Sequence, residues 1–134
     1  MMRIGVYEPK GDEQLQASSL QQHLVGSLTG GKIEAIAITS PEDAKKYNCD
    51  YTLSTEFTRI KQASKVGGLL KAIKNTDPNA ASSFNMDATL VLVSLADGST
   101  KLQPSVSGKY EGKVDDAAKK ALNEGSRQIL KGLK

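Results

Sequence analysis

The stretch Ala88-Thr89-Leu90-Val91-Leu92-Val93-Ser94-Leu95 decides the fold. It is apolar on both alternating faces, rich in β-branched residues, and closed by Ala96-Asp97-Gly98-Ser99. A continuous apolar run of this length, ended by an Asp-Gly turn, predicts a strand at the centre of a sheet, covered on both sides. The strand is expected over Phe84 to Leu95, with Phe84, Met86, Ala88 and Leu90 alternating along its first half. The Asp97-Gly98 turn folds Thr100 to Tyr110 back antiparallel beside it, with Leu102, Val106 and Tyr110 facing in. Pro104 removes a ladder donor and Gly108 weakens the strand, so this segment is expected at an edge or around a bulge.

Upstream, Arg3 to Tyr7 forms a short strand with Ile4 and Val6 on one face. Pro9 and Gly11 break it, and Asp12 offers an N-cap. Glu13 to Thr29 reads as a helix. Ala17, Leu20, Leu24 and Leu28 make a single apolar stripe, the glutamines lie mostly off it, and Gly30-Gly31 supplies a left-handed C-terminal cap. Lys32 to Thr39 is a second strand, and strand-helix-strand at this spacing predicts a right-handed parallel crossover. Ser40-Pro41-Glu42-Asp43 starts a short helix: Ser40 caps, Pro41 takes the first helical position, and the acids favour the positive end of the dipole. In Tyr51 to Lys61 the residues Tyr51, Leu53, Thr55 and Phe57 face the core, while Thr52, Ser54, Glu56 and Thr58 face water.

Gln62 to Ser83 is an irregular connection longer than a hairpin loop needs. After Glu111-Gly112-Lys113 a last helix runs from about Val114 to Lys131, with Asp115 and Asp116 at its start and Lys131 at its end. Gly125, in mid-helix, marks close packing on the sheet. The chain therefore reads as one domain, residues 1–134, of the α/β (α+β) class. A single mixed sheet of about five strands carries elements in the order β-α-β-α-β-β-β-α, with the helices mainly on one face.

The composition fits a packed globular domain: 38% of residues are hydrophobic, 25% are charged, and tryptophan is absent. A net charge of +3 is too small an excess to require a polyanionic partner. The single cysteine, Cys49, cannot form an internal disulfide. No run is long and apolar enough for a membrane-spanning helix. Met1 to Tyr7 is too short for a signal peptide and leads straight into a strand pattern.

No constellation for catalysis, cofactor binding or metal binding emerges, and none is expected. His23 is the only histidine and lacks ligand or triad partners at a useful spacing. Cys49 reads as a small buried hydrophobe rather than a nucleophile. Gly30-Gly31 and Gly67-Gly68 lack the remainder of a phosphate-binding loop or a dinucleotide fingerprint. Asp115 and Asp116, with Glu111 near them, are simplest as dipole partners. Glu56 and Asp87 become acid candidates only if adjacent strands bring them together. The basic loop offers the strongest interaction candidates: Lys61, Lys65, Lys71 and Lys74, interleaved with Val66, Leu69, Leu70 and Ile73.

Asn48-Cys49-Asp50-Tyr51-Thr52-Leu53-Ser54-Thr55-Glu56-Phe57 resembles a strand entry found after the second helix in a group of bacterial envelope proteins. The group comprises the TolB amino-terminal domain, the curli secretion-channel protein and the lipoprotein activators of penicillin-binding proteins. Val93-Ser94-Leu95-Ala96-Asp97-Gly98-Ser99-Thr100 is similar to the group's later hairpin, and the Leu-rich first helix also matches. Asn48-Cys49 stands where the group has Gly-Ala, and Thr55 where it often has Gly. The start carries no lipoprotein cysteine, and the channel protein's membrane hairpins are not evident.

The resemblance implies a non-enzymatic, periplasmic or outer-membrane-associated domain that binds a protein partner or its own copies. It carries no catalytic residues to transfer. Membrane contact is then peripheral or through other segments. Two other readings compete. One is a small enzyme using Cys49 or acidic side chains; the other is weak binding of nucleic acid or an anionic surface through the loop at 61–74. Nucleic acid is disfavoured by the scarcity of aromatic residues for stacking.

Overall fold

The structure is a computed structural model that describes residues 2–11, 15–62 and 82–133. Its elements are β1 (Met2–Val6), α1 (Ala17–Leu28), β2 (Ile33–Ala37), α2 (Pro41–Lys46), β3 (Tyr51–Gln62), β4 (Ser82–Ser94), β5 (Thr100–Leu102), β6 (Ser105–Gly112) and α3 (Val114–Gly132). One mixed sheet runs in the order β2-β1-β3-β4, and β5 and β6 both pair with the far side of β4. β1 is parallel to β2 and to β3, whereas β4 is antiparallel to β3, β5 and β6. The predicted single return strand is thus two strands, which raises the count to six. Pro104 interrupts it: its carbonyl accepts from Leu90 N–H at 2.9 Å, but its ring nitrogen has nothing to donate.

Strand order explains where the helices go. β1 connects leftward to β2, and β2 connects rightward past β1 to β3. Right-handed crossovers in opposite directions put their helices on opposite faces. Accordingly α1 packs with α3 over one face, around Ile4, Val6, Leu24, Leu53, Leu90, Leu92 and Leu122. α2 lies on the other face, where Ile38, Ala44 and Cys49 make a second small cluster with Tyr7 and Ile36. Gly5 sits beneath that cluster; a Cβ there would meet Ile38 Cδ1 at 2.7 Å.

β4 is central, as its sequence requires, but among the described residues it is covered on one side only. Phe84, Met86, Ala88, Leu90 and Leu92 are buried, whereas Val91 and Val93 are half-buried and Leu95 is exposed. α2 reaches only the β1–β2 end of the outer face, so among the described residues no element supplies the expected second cover over β3 and β4. α3 sits close on the inner face. A Cβ at Gly125 would lie 2.8 Å from both methyl carbons of Leu90, and one at Gly132 as close as 2.7 Å to Leu102.

The local signals of α2 work as expected: Asp43 N–H donates to Ser40 Oγ at 3.4 Å, and Pro41 opens the helix. α1 differs. It begins at Ala17, with Gln16 as its cap residue, and Asp12 lies outside the described residues. Gln16 N–H instead donates to Asp115 Oδ1, from the first turn of α3, at 3.2 Å. Gly30-Gly31 is not a helix cap either. Thr29 closes the helix, and the glycines form a tight turn in which Gly30 and Ile33 exchange both backbone hydrogen bonds at 2.9 Å. That turn and Thr29 Oγ1, which accepts from Ala35 N–H at 3.1 Å, occupy much of the outer edge of β2.

Gln21, expected off the apolar stripe, is buried. Its Nε2 donates to the carbonyls of Val6 at 2.8 Å and Ile38 at 3.0 Å, tying α1 to the ends of β1 and the β2 segment. Thr55 is its opposite: a buried hydroxyl with no hydrogen-bond partner among the described residues. A satisfied buried amide stabilises, and an orphaned hydroxyl costs about 1–3 kcal/mol. Two polar-to-apolar substitutions should therefore have opposite signs. In urea unfolding, Gln21→Leu is expected to lose about 2 kcal/mol by stripping Ile38 of its donor. Thr55→Val is expected to gain about 1 kcal/mol. Equal signs would refute the assignment.

Candidate interaction surface

The outer face of β3 and β4 carries the alternation predicted for a wet strand face: Ser54, Glu56 and Thr58 are exposed, while Leu53 and Phe57 turn inward. Thr52 departs from it, being buried beside Gly5. Across the ladder Ser54 faces Val91 and Glu56 faces Thr89. With Gln103 these residues floor an open groove of about 700 Å³, walled by Tyr7, Lys10 and Thr39. The floor mixes hydroxyls, one carboxylate and the half-buried Val91.

This groove lies beside the point where the sheet's connections reverse, between the carboxyl ends of β1 and β3. Open α/β sheets usually bind small ligands in such a crevice. Here the chain fills it. Tyr7 N–H donates to Leu53 O at 3.0 Å, Lys10 N–H to Thr55 O at 2.9 Å, and Phe57 N–H to Lys10 O at 2.8 Å. Backbone stitched along β3 leaves the broad sheet face as the available surface.

The predicted chemistry-bearing residues do not converge. Glu56 and Asp87 share the outer face of adjacent strands but stand at diagonal positions. Asp87 is engaged elsewhere: Arg59 Nε lies 3.5 Å from its Oδ2, and Ser107 Oγ donates to its Oδ1 at 2.6 Å. His23 Nε2 contacts Asn123 Oδ1 at 2.7 Å, across the α1–α3 seam. Among the described residues no group of three histidine, cysteine or carboxylate side chains is placed to hold a metal ion. Asp115 and Asp116 serve helix starts, Asp116 accepting from Lys113 N–H at 3.4 Å. Lys61 ends in β3 without a described side chain, and Lys65, Val66, Leu69, Leu70, Lys71, Ile73 and Lys74 lie outside the described residues.

Cys49 is buried against Ile38 and Ala44. Burial raises its pKa above the ordinary thiol value, and the nearby Arg3 charge only partly opposes that.

The sequence matches no described family, and no curated protein matches it. Solved structures do share its architecture. A PelC dodecamer from Paraburkholderia phytofirmans is 14% identical with a TM-score of 0.58, over 91% of this chain and 83% of that one. TolB from Acinetobacter baumannii is 11% identical with a TM-score of 0.60, over 99% of this chain but 28% of TolB. Lipoprotein GNA1162 from Neisseria meningitidis is 12% identical with a TM-score of 0.52, over 83% of this chain and 84% of that one. The chain shares its fold with PelC, with GNA1162 and with the part of TolB that it covers. The likeness read from the Asn48–Phe57 and Val93–Thr100 segments is thus present in the architecture, at identities that speak for the fold alone.

The state of Cys49 sets a direct expectation. Near neutral pH its thiol should alkylate with iodoacetamide more slowly than the same cysteine in the urea-unfolded chain, because folding both buries it and holds it protonated. The rate should climb only above the usual thiol range. Faster alkylation in the folded chain would restore Cys49 as a nucleophile.

Proposed function

We propose that the chain is a non-catalytic interaction and assembly domain of the bacterial envelope, which binds a protein partner or further copies of itself. The observation that carries this reading is the half of the sheet's outer face that the described residues leave uncovered. Among the described residues six strands carry three helices, and the helix on the outer face stops short of β3 and β4. What remains is a broad groove floored by short polar side chains with Val91 among them. Such a mixed surface suits a macromolecular partner better than a small substrate, which needs convergent polar groups in a concave site. The envelope setting is supported by the kind of proteins that share the fold, and self-assembly by the dodecamer among them. Among the described residues the acids do not converge and Cys49 is buried, which favours the interaction reading over the enzyme one.

Sedimentation of the purified chain, from low micromolar to near-millimolar concentration, tests assembly. The weight-average mass is expected to exceed the 14.3 kDa of one chain and to fall on dilution. Capture from periplasmic and outer-membrane extracts tests the partner arm, where Val91→Glu should weaken capture while leaving the circular dichroism unchanged. A 14.3 kDa species throughout, with nothing captured, would overturn the reading.

A further inference from the structure

The sheet's two edges are treated differently. At β2 the Gly30 turn and Thr29 Oγ1 occupy the outward groups of Ile33 and the amide of Ala35. At the other edge, β6 runs over Ser105–Gly112 with β4 on one side, and among the described residues no strand lies on its other side. The bond from Leu90 N–H to the Pro104 carbonyl fixes the phase of this ladder. In an antiparallel pair, hydrogen-bonded and non-hydrogen-bonded positions alternate. Residues 106, 108, 110 and 112 therefore turn their backbone groups toward β4, and Ser105, Ser107, Lys109 and Glu111 turn theirs outward. Lys120 Nζ takes the Glu111 carbonyl at 2.8 Å. The N–H and C=O of Ser105, Ser107 and Lys109 stay open among the described residues.

Beside this edge, between β6 and α3, lies a polar groove of about 550 Å³ lined by Ser105, Ser107 and Tyr110 on the strand and Asn123, Glu124 and Arg127 on the helix. We propose that this edge is where a second copy of the chain adds its own β6, antiparallel, across a two-fold axis at Ser107. The proposal rests on the assembly reading above and deepens it by naming the surface. Three features favour a second copy. A register centred on Ser107 pairs Ser105 with Lys109 of the second copy and Ser107 with Ser107 of the second copy, so the open N–H and C=O groups of these three residues find partners on both strands. It sets each lysine against a serine rather than another lysine, avoiding like charges directly opposite. The two-fold also lays the α3 helices antiparallel above the joined strands, turning Glu124 of one copy toward Arg127 of the second copy. Within one chain these two side chains already pair at 3.1 Å on that flank, so the surface is charge-complementary to itself.

The test uses the full chain. Ser107→Pro removes an outward donor and leaves the β4 ladder intact, because the Ser107 amide takes no part in it. It should raise the dissociation constant for association by about tenfold or more, with circular dichroism unchanged. In a Cys49→Ala background, Ser107→Cys should form an intermolecular disulfide on mild oxidation. Hydrogen-bonded antiparallel partners stand about 5.5 Å apart at Cα, within disulfide reach. Ser105→Cys, off the axis, should not link to its own counterpart. Arg127→Glu should weaken association, and the double reversal E124R/R127E should restore it. If the wild type associates but the Ser107 and Arg127 variants associate equally well and no cross-link forms, the edge is overturned and assembly through another surface stands. If the wild type stays monomeric throughout, the assembly reading falls and the edge with it. Should Ser107→Pro unfold, the cross-link and the charge reversal decide.

Discussion

Leu90 leaves no room for a side chain on the helix above it. Its methyl carbons would lie 2.8 Å from any Cβ at position 125, so α3 reaches β4 only because glycine stands there, and Gly132 repeats the arrangement over Leu102. A helix seated this low closes the inner face of the β4–β6 half with small residues, Ala117, Ala118 and Ala121, and the larger Leu122 and Ile129. α1 is then left to cover β1 and β2, and meets α3 along the seam bridged by His23 and Asn123. In a core built almost without aromatics, close approach does what large rings do elsewhere.

The second constraint is directional. β1 stands between β2 and β3, both parallel to it, so the two crossovers leave in opposite senses and their helices part to opposite faces. α2 is only six residues long. It covers the β1–β2 corner and nothing beyond. The half of the sheet left exposed among the described residues, on which the functional reading depends, follows from a short second crossover helix rather than from a defect in β4.

Signals that act locally could be read from the sequence. Ser40-Pro41 starts α2, Asp97-Gly98 turns the hairpin, and the Tyr51–Phe57 alternation names the correct inward face of β3, because each depends on residues a few places apart. Gly125 was legible too, as a helix interruption that only packing explains. What depends on distant residues was not. The acceptor for Gln16 comes from Asp115, and the two carbonyls that bury Gln21 lie on β1 and beyond β2. A glutamine beside an apolar stripe looks solvent-facing until its partners are known. Val91 and Val93 read as doubly covered because hydrophobicity records suitability for burial, not the length of the helix available to provide it. Within the candidate surface, the wet face of β3 was legible and the groove beside Tyr7 was not, since its walls come from three separate segments.

The turn after α1 has a wider consequence. By folding Gly30 back onto Ile33, it occupies part of one border of the sheet with the chain's own backbone, while among the described residues no strand lies along the β6 border. Where only one border of a sheet accepts a strand, joining two copies uses up both borders, so the sheet is doubled and not extended further. On the pairing proposed above, sheet continuation would end at two copies, and a larger closed array would have to be built through faces rather than edges.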